Sequence, residues 1–235
     1  MIAFLCTSTN LKAMSSKRKL TGSIATPDHA CQKEMDQALL EEGNRYLKLL
    51  PSSVYKAFPH EQLVIWCNRH QRYGIVTTEL VDWLREQIGD RSVIEIAAGK
   101  GDLSHHLNIH PTDGYSQTTE YVKDCYESCG HIPLIPNPEV ERLEAVQAIK
   151  KYKPKVVIAS WLTQRYLSDP RTNYYYGVDE TQVRILSMKY IHIGNTNVHG
   201  GKTVLRKPHK KYVFPWLVSR AANQSQNAIW VFSKI

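Results

Sequence analysis

The 235-residue chain predicts an α/β fold, a mostly parallel sheet covered by helices on both faces in three αβα layers. Three observations carry that prediction. From about residue 91 onward, short apolar runs alternate with segments of helical periodicity, the rhythm of strand–helix–strand units. The runs Val93-Ile94-Glu95-Ile96-Ala97-Ala98 and Lys155-Val156-Val157-Ile158-Ala159-Ser160-Trp161 are short and nearly continuous, as strands buried on both faces require. The first of them leads into Gly99-Lys100-Gly101 and a helix-like segment, so it ends in a tight strand-to-helix turn.

Taken in order, residues 1–27 mix Ser, Thr, Lys and Gly with little periodicity and read as a flexible arm ending at Thr26-Pro27. Asp28 can cap a helix, and Ala30, Met35, Ala38, Leu39, Tyr46, Leu47 and Leu50 recur at helical spacing up to Pro51, with a break near Gly43. A second helix covers Glu61 to Arg72. A third covers Thr77-Thr78 to Gly89, with a Thr cap, an acidic first turn and a terminal glycine. These helices make an extension over 28–90 packed on the core, ahead of a domain over 91–235. In that domain, strands are expected at 91–97, 109–113, 132–135, 155–161 and 189–194. Helices are expected at 101–108, 120–130, 179–187 and along Val140, Leu143, Val146 and Ile149. The closing apolar segments, Tyr212 to Ser219 and Ala228 to Phe232, suit an antiparallel pair at one sheet edge.

The composition, 42% hydrophobic and 22% charged, is ordinary for a soluble protein, and no apolar run approaches the roughly 18 residues of a membrane span. The apolar start Met1 to Cys6 is too short for an export signal, and its basic cluster Lys17-Arg18-Lys19 follows rather than precedes it. Five cysteines, an odd and scattered number, form no disulfide framework, so a reducing cytoplasm is expected. Cys125, Cys129 and His131 lack the rest of a four-ligand set, and no metal is expected. A net charge of +8 implies an anionic partner of some kind without naming it.

A strand that turns through Gly-x-Gly into a helix brings backbone N–H groups and a helix N-terminus close to a ligand. The match is short, but Asp113 follows Glu95 by about 18 residues, where an acidic side chain accepts hydrogen bonds from ribose hydroxyls. Glu95-Ile96-Ala97-Ala98-Gly99-Lys100-Gly101 resembles the first motif, E/D-x-G-x-G-x-G, of the class I, Rossmann-like S-adenosylmethionine-dependent methyltransferases. The resemblance covers roughly Tyr73 to Ile235, and the closing apolar pair is similar to the family's reversed last hairpin.

The resemblance implies S-adenosyl-L-methionine as cofactor and assigns roles by position. Tyr73, Thr77 and Thr78 belong to a segment that closes over the methionine end. Glu95 contacts the methionine part directly or through water. Ala97, Ala98, Gly99 and Gly101 form the turn, and Asp113 holds the ribose. Asn137, Glu139, Val140 and Glu141 lie beside the adenine, and Ser160, Trp161 and Leu162 line the reaction side. Ala97 replaces the usual first glycine. The segment Ala159-Ser160-Trp161-Leu162-Thr163 does not resemble the motif of enzymes that methylate exocyclic amino groups of bases, and there is no Pro-Cys nucleophile; a DNA base methyltransferase is disfavoured.

Other residues are candidates on chemistry alone. His199, and less so His192, follow or occupy the fifth strand at the crevice edge and suit a general base, although a methylsulfonium is electrophilic enough to react without one. Asn195, Lys202, Lys207 and Lys210, with Tyr175 in an aromatic loop, suit an anionic substrate. The stretch 202–220 is basic and interleaved with aromatics, which suits nucleic acid or simply a solvated loop. The expected function is therefore methyl transfer to an N, O or S atom of an undetermined acceptor, small molecule or nucleic acid. The alternative is a non-catalytic module that binds the cofactor or a nucleoside and acts through a protein or nucleic-acid partner. A nicotinamide-dependent oxidoreductase is less favoured, because about 90 residues precede the turn.

Overall fold

The computed structural model describes residues 26–165 and 176–234; the arm predicted over 1–27 lies almost wholly outside them. The lead-in contains α1 His29–Leu39, α2 Ser52–Lys56 and α3 His60–Arg69. Asp28 caps α1, accepting from the backbone N–H groups of Ala30 (3.0 Å) and Cys31 (3.2 Å). The helix is shorter than its apolar pattern predicts. Leu40 is extended (φ −100°, ψ 143°) and pairs with Leu47 across a turn in which Gly43 and Asn44 take φ 80° and 57°. Residues 40–50 thus continue the apolar spacing without being helical. A short strand, β1 Gly74–Ile75, precedes α4 Thr78–Ile88. The Thr77 hydroxyl caps α4 by accepting from Leu80 N–H at 3.3 Å, and Gly89 ends it at φ 55°.

The sheet is mixed, with seven strands: β2 Val93–Ile96, β3 His110–Asp113, β4 Glu141–Arg142, β5 Val156–Ser160, β6 Lys189–Asn195, β7 Lys210–Tyr212 and β9 Asn227–Ser233. Their spatial order is β4-β3-β2-β5-β6-β9-β7. Strands β2 to β6 are parallel, and β9 alone is reversed, running antiparallel to both β6 and β7. From β2 the chain moves outward to β3 and β4, then returns to the other side of β2 for β5, so the strand order reverses between β2 and β5. The helices of this half are α5 Asp102–Leu107, α6 Glu120–Ser128, α7 Ala145–Tyr152, α8 Glu180–Leu186 and α9 Thr196–His199. β8 Val218–Ser219 pairs with β1 in a separate ladder.

Because side chains alternate along a strand, each central strand feeds two cores. Val156, Ile158, Ile191, Ile193, Ile229 and Val231 point to one face and pack with Met35, Leu39, Trp66 and Leu84 of the lead-in helices. Val157, Ala159, Tyr190, Ala228, Trp230 and Phe232 point to the other and pack with Ala148, Ile149 and Val183 of α7 and α8. Helices of the stretch 28–90 therefore pack on one face of the sheet, together with Leu103 of α5 and with Leu217 and Val218.

Three local expectations are corrected. The segment 132–135 forms no ladder. Pro133 has no N–H to give, while the N–H groups of Leu134 and Ile135 go to the side chains of Gln117 (2.8 Å) and Gln71 (2.9 Å). Edge strand β4 is instead Glu141–Arg142, paired with Thr112 and Asp113, so the helix expected from Val140 starts only at Ala145. The antiparallel partner of β9 is Lys210–Tyr212, upstream of the predicted segment, and β9 lies inside the sheet rather than at its edge.

Candidate functional site

The site grows from the turn after β2. Ala97, Gly99 and Gly101 have φ of 49°, 58° and 78°, the left-handed region where a side chain costs about 1–2 kcal/mol. Gly101 then opens α5 as its N-cap residue. Ala98 N–H donates to Thr112 O (3.0 Å), tying the turn to β3. A Cβ on Gly99 would stand 3.0 Å from Leu134 Cδ1, so the turn is also closely packed. Ala97 takes the same backbone with its methyl in place, which makes it a strained position as well as a departure from the glycine pattern.

Two carboxylates organise this turn. Asp113, at the end of β3, accepts from Gly99 N–H at 3.0 Å and from Tyr115 N–H at 2.7 Å. One side chain thus couples the glycine turn to the chain leaving β3. Its carboxyl is pushed up by burial, against the opposing effect of those two backbone bonds. Glu95, 1% exposed, accepts from the Ser104 N–H at 3.0 Å and from the Ser104 hydroxyl. Burial pushes its carboxyl up to about 8.

Around them lies a cleft, open to solvent, at the carboxyl ends of β2, β3 and β5. This is the place where the strand order reverses and where open parallel sheets bind ligands. Of the predicted residues, Tyr73, Glu95, Ala97, Ala98, Gly99, Asp113, Ser160 and Trp161 line it together, and Leu162 joins them. Trp161 has φ 56°, rare for so bulky a side chain. Its N–H donates to Ile193 O at 2.8 Å. Its indole lies where a Cβ on Gly74 would be, 2.7 Å from Cδ1 and Nε1, so Gly74 makes room for it. Tyr73 presents a buried hydroxyl that interacts with the Tyr126 side chain, and an Arg220 guanidinium lies 3.7 Å above its ring.

Other predicted residues have structural work elsewhere. Thr77 is fully buried as the α4 cap, and Thr78 N–H donates to Leu50 O. Asn137 donates to Lys100 O (2.7 Å) and Arg45 O (3.2 Å), bracing the turn from behind, and Val140 packs on Gly101. Glu139 pairs with Arg45, and Glu141 binds His110, Lys151 and Tyr152 at the sheet edge. None of the four lines the cleft; the space beside Asp113 is bounded instead by Tyr115, Ser116 and Gln117. Tyr175 lies outside the described residues.

The expected bases His199 and His192, and the expected anion ligands Lys202 and Asn195, are buried among partners of their own. His199 is 6% exposed, its Nδ1 accepts from Asn195 N–H at 3.0 Å, and burial with nearby Lys202 pushes it down to about 3. It supports Trp161 edge-on, ring centroids 5.1 Å apart, and its accepting nitrogen is spent on the backbone. His192 is fully buried against Trp230 and held neutral by burial. Lys202 is 4% exposed; it pairs with Glu180 (2.7 Å) and donates to Leu162 O (2.6 Å), so it anchors the loop after β5 rather than meeting an anion. Asn195 caps α9 and bonds Asn227 and Asn223. Lys207 and Lys210 are exposed.

The cleft also contains residues that the sequence did not single out. Arg72 makes a buried two-pronged ion pair with Asp102, both contacts 3.1 Å, and Asp102 accepts Leu47 N–H at 2.8 Å. This joins the helical extension to α5. Lys100, its ammonium disfavoured by burial and by Arg72, and Tyr126 complete the wall. Asp102 directly after Gly101 was the available signal for the ion pair; Arg72 carried none.

No protein-family model and no curated protein matches the chain. Among solved structures, the crystal structure of Thermoplasma acidophilum 1320 aligns over 77% of this chain and 92% of its own, at 13% identity and a TM-score of 0.32. No helix among the described residues is long and apolar enough to cross a membrane.

Proposed function

We propose that this chain has a Rossmann-like fold and is an S-adenosylmethionine-dependent methyltransferase acting on an N, O or S nucleophile. The observation that carries the reading is the Gly99–Asp113 hydrogen bond. It joins a left-handed glycine turn to an acidic side chain, side by side in an open cleft where the strand order reverses. The reversed strand β9 between β6 and β7 supports the same reading.

The cleft suits the cofactor. Each Asp113 oxygen accepts only one backbone N–H, so lone pairs are left for a ribose diol. The backbone of the turn can come close to a ligand at Gly99, and the Tyr73 and Tyr126 side chains bring polar atoms to the same wall of the cleft. The bound cofactor would supply an electrophilic methyl group. The chain's own part is to hold and orient: Asp113 grips the ribose, the 97–101 turn faces the cofactor backbone, and Ser160, Trp161, Tyr73 and Tyr126 wall the acceptor side against water. With His199 committed to the backbone, alignment of an already neutral nucleophile is the mode of catalysis.

That same commitment favours a second reading, a non-catalytic module binding the cofactor or a nucleoside and acting through a partner. Exposed Lys207, Lys210 and Lys211 would give it an anionic or nucleic-acid contact. Calorimetric titration with S-adenosylmethionine, its demethylated product and NAD tests both. Binding of the first two and not NAD is expected; binding of NAD alone overturns the proposal. Transfer of labelled methyl to a component of a cell extract separates the enzyme from the module.

A further inference from the structure

We propose that Glu41, His105 and His106 form a binding site for a divalent cation of the zinc type, independent of the cleft, which clamps the loop after α1 onto the end of α5. One ligand atom from each of the three lies within 4.8 Å of the others. His105 Nε2 and Glu41 Oε1 hydrogen-bond at 3.2 Å, close to the separation of about 3.3 Å between two ligands of a tetrahedral ion with bonds of about 2.0 Å. Both rings are already fixed, which lowers the ordering cost of binding. His105 stacks on Tyr46 with centroids 4.0 Å apart and planes 3° from parallel. His106 Nε2 lies 2.7 Å from Leu47 O, the kind of carbonyl partner that orients a metal-binding imidazole.

Two imidazoles and one carboxylate are donors for zinc, nickel or copper rather than for calcium or magnesium. With His105 exposed and the other two half-buried, water can complete the coordination. The consequence is mechanical. Glu41 belongs to the turn between Leu40 and Leu47, and the histidines end the helix whose other end is Gly101. An ion there would add a further tie between the extension and α5, beside the Arg72–Asp102 pair and the Leu47 N–H bond to Asp102.

The test uses the full chain and Zn²⁺ as probe, in a buffer that does not chelate. Wild type should take up one equivalent at this site and gain thermal stability that EDTA reverses. Glu41→Gln, which keeps the side chain's size on an accessible surface, and His105→Gln should each weaken uptake by at least about tenfold and abolish most of the thermal gain. Four free thiols are present among the described residues, and zinc held by them would bind wild type and variants alike. Equal affinity and equal stabilisation in all three proteins, or no uptake by wild type, overturns the proposal. Unfolding midpoints without metal show whether the variants fold.

Discussion

Exchanging the residues of the turn, Gly99→Ala and Ala97→Gly, probes it from both sides. Gly99 has φ 58° and Ala97 φ 49°, and a side chain there costs about 1–2 kcal/mol. Against that, a Gly→Ala change recovers about 0.4–1 kcal/mol by restricting the unfolded chain. Gly99→Ala also sets a methyl 3.0 Å from Leu134 Cδ1, a flexible neighbour that has to give by a few tenths of an ångström. The net expectation for it is a loss of about 1 kcal/mol. Ala97→Gly runs the same terms backward and should gain between about 0 and 1 kcal/mol. At about 2–4 °C per kcal/mol for a chain of this size, the two variants should fall on opposite sides of wild type by a few degrees. Urea unfolding followed by tryptophan fluorescence gives the free energies directly. A loss for Ala97→Gly as large as that for Gly99→Ala would refute the strain assigned to Ala97.

Two further outcomes follow from buried charge. The raised carboxyl of Glu95, about 8 against an ordinary 4.5, gives stability that is complete below its unfolded value and is lost as pH rises through about 8. Below about pH 6.5 the depressed imidazoles of His192 and His199 act oppositely, since charging the unfolded chain costs stability as pH falls. Between pH 6.5 and 8 Glu95 acts without them, and wild type should lose on the order of 2 kcal/mol; Glu95→Gln should flatten that slope, and an unchanged slope would show that Glu95 titrates normally. Lys202→Met should cost about 3–5 kcal/mol by leaving Glu180 buried with no cation beside it, facing only the Tyr190 hydroxyl and, at 3.7 Å, the neutral ring of His192. The pair Lys202→Met with Glu180→Gln should recover much of it; a double variant as unstable as the single would contradict the ion-pair account.

What the sequence made legible was what local spacing controls. The apolar runs of β2, β5 and β6, the Asp28 and Thr77 caps, and the place of Asp113 at the end of β3 all follow from short-range pattern. What it hid depends on groups far apart in the chain. The strand expected at 132–135 fails because Gln71 and Gln117 take its N–H groups, and no local feature announces that. Lys202 looked like one of a run of surface cations, and the distant Glu180 and Leu162 O explain its burial. His199 had a base's chemistry and position, but the Asn195 N–H four residues earlier consumes its lone pair. Asn137 to Glu141 were placed beside the ligand by resemblance; in the fold they brace the turn and the sheet edge while Tyr115 takes the inner position.

The central claim is that Asp113 and the glycine turn together hold the ribose of S-adenosylmethionine, and comparing wild type with Asp113→Asn by calorimetric titration tests it most directly. The substitution keeps the side chain's shape and one acceptor but removes its charge. Charge-assisted hydrogen bonds contribute about 1.5–3 kcal/mol, so the account predicts at least about a tenfold rise in Kd with the fold intact by circular dichroism. Equal affinity of the two proteins for the cofactor would contradict it.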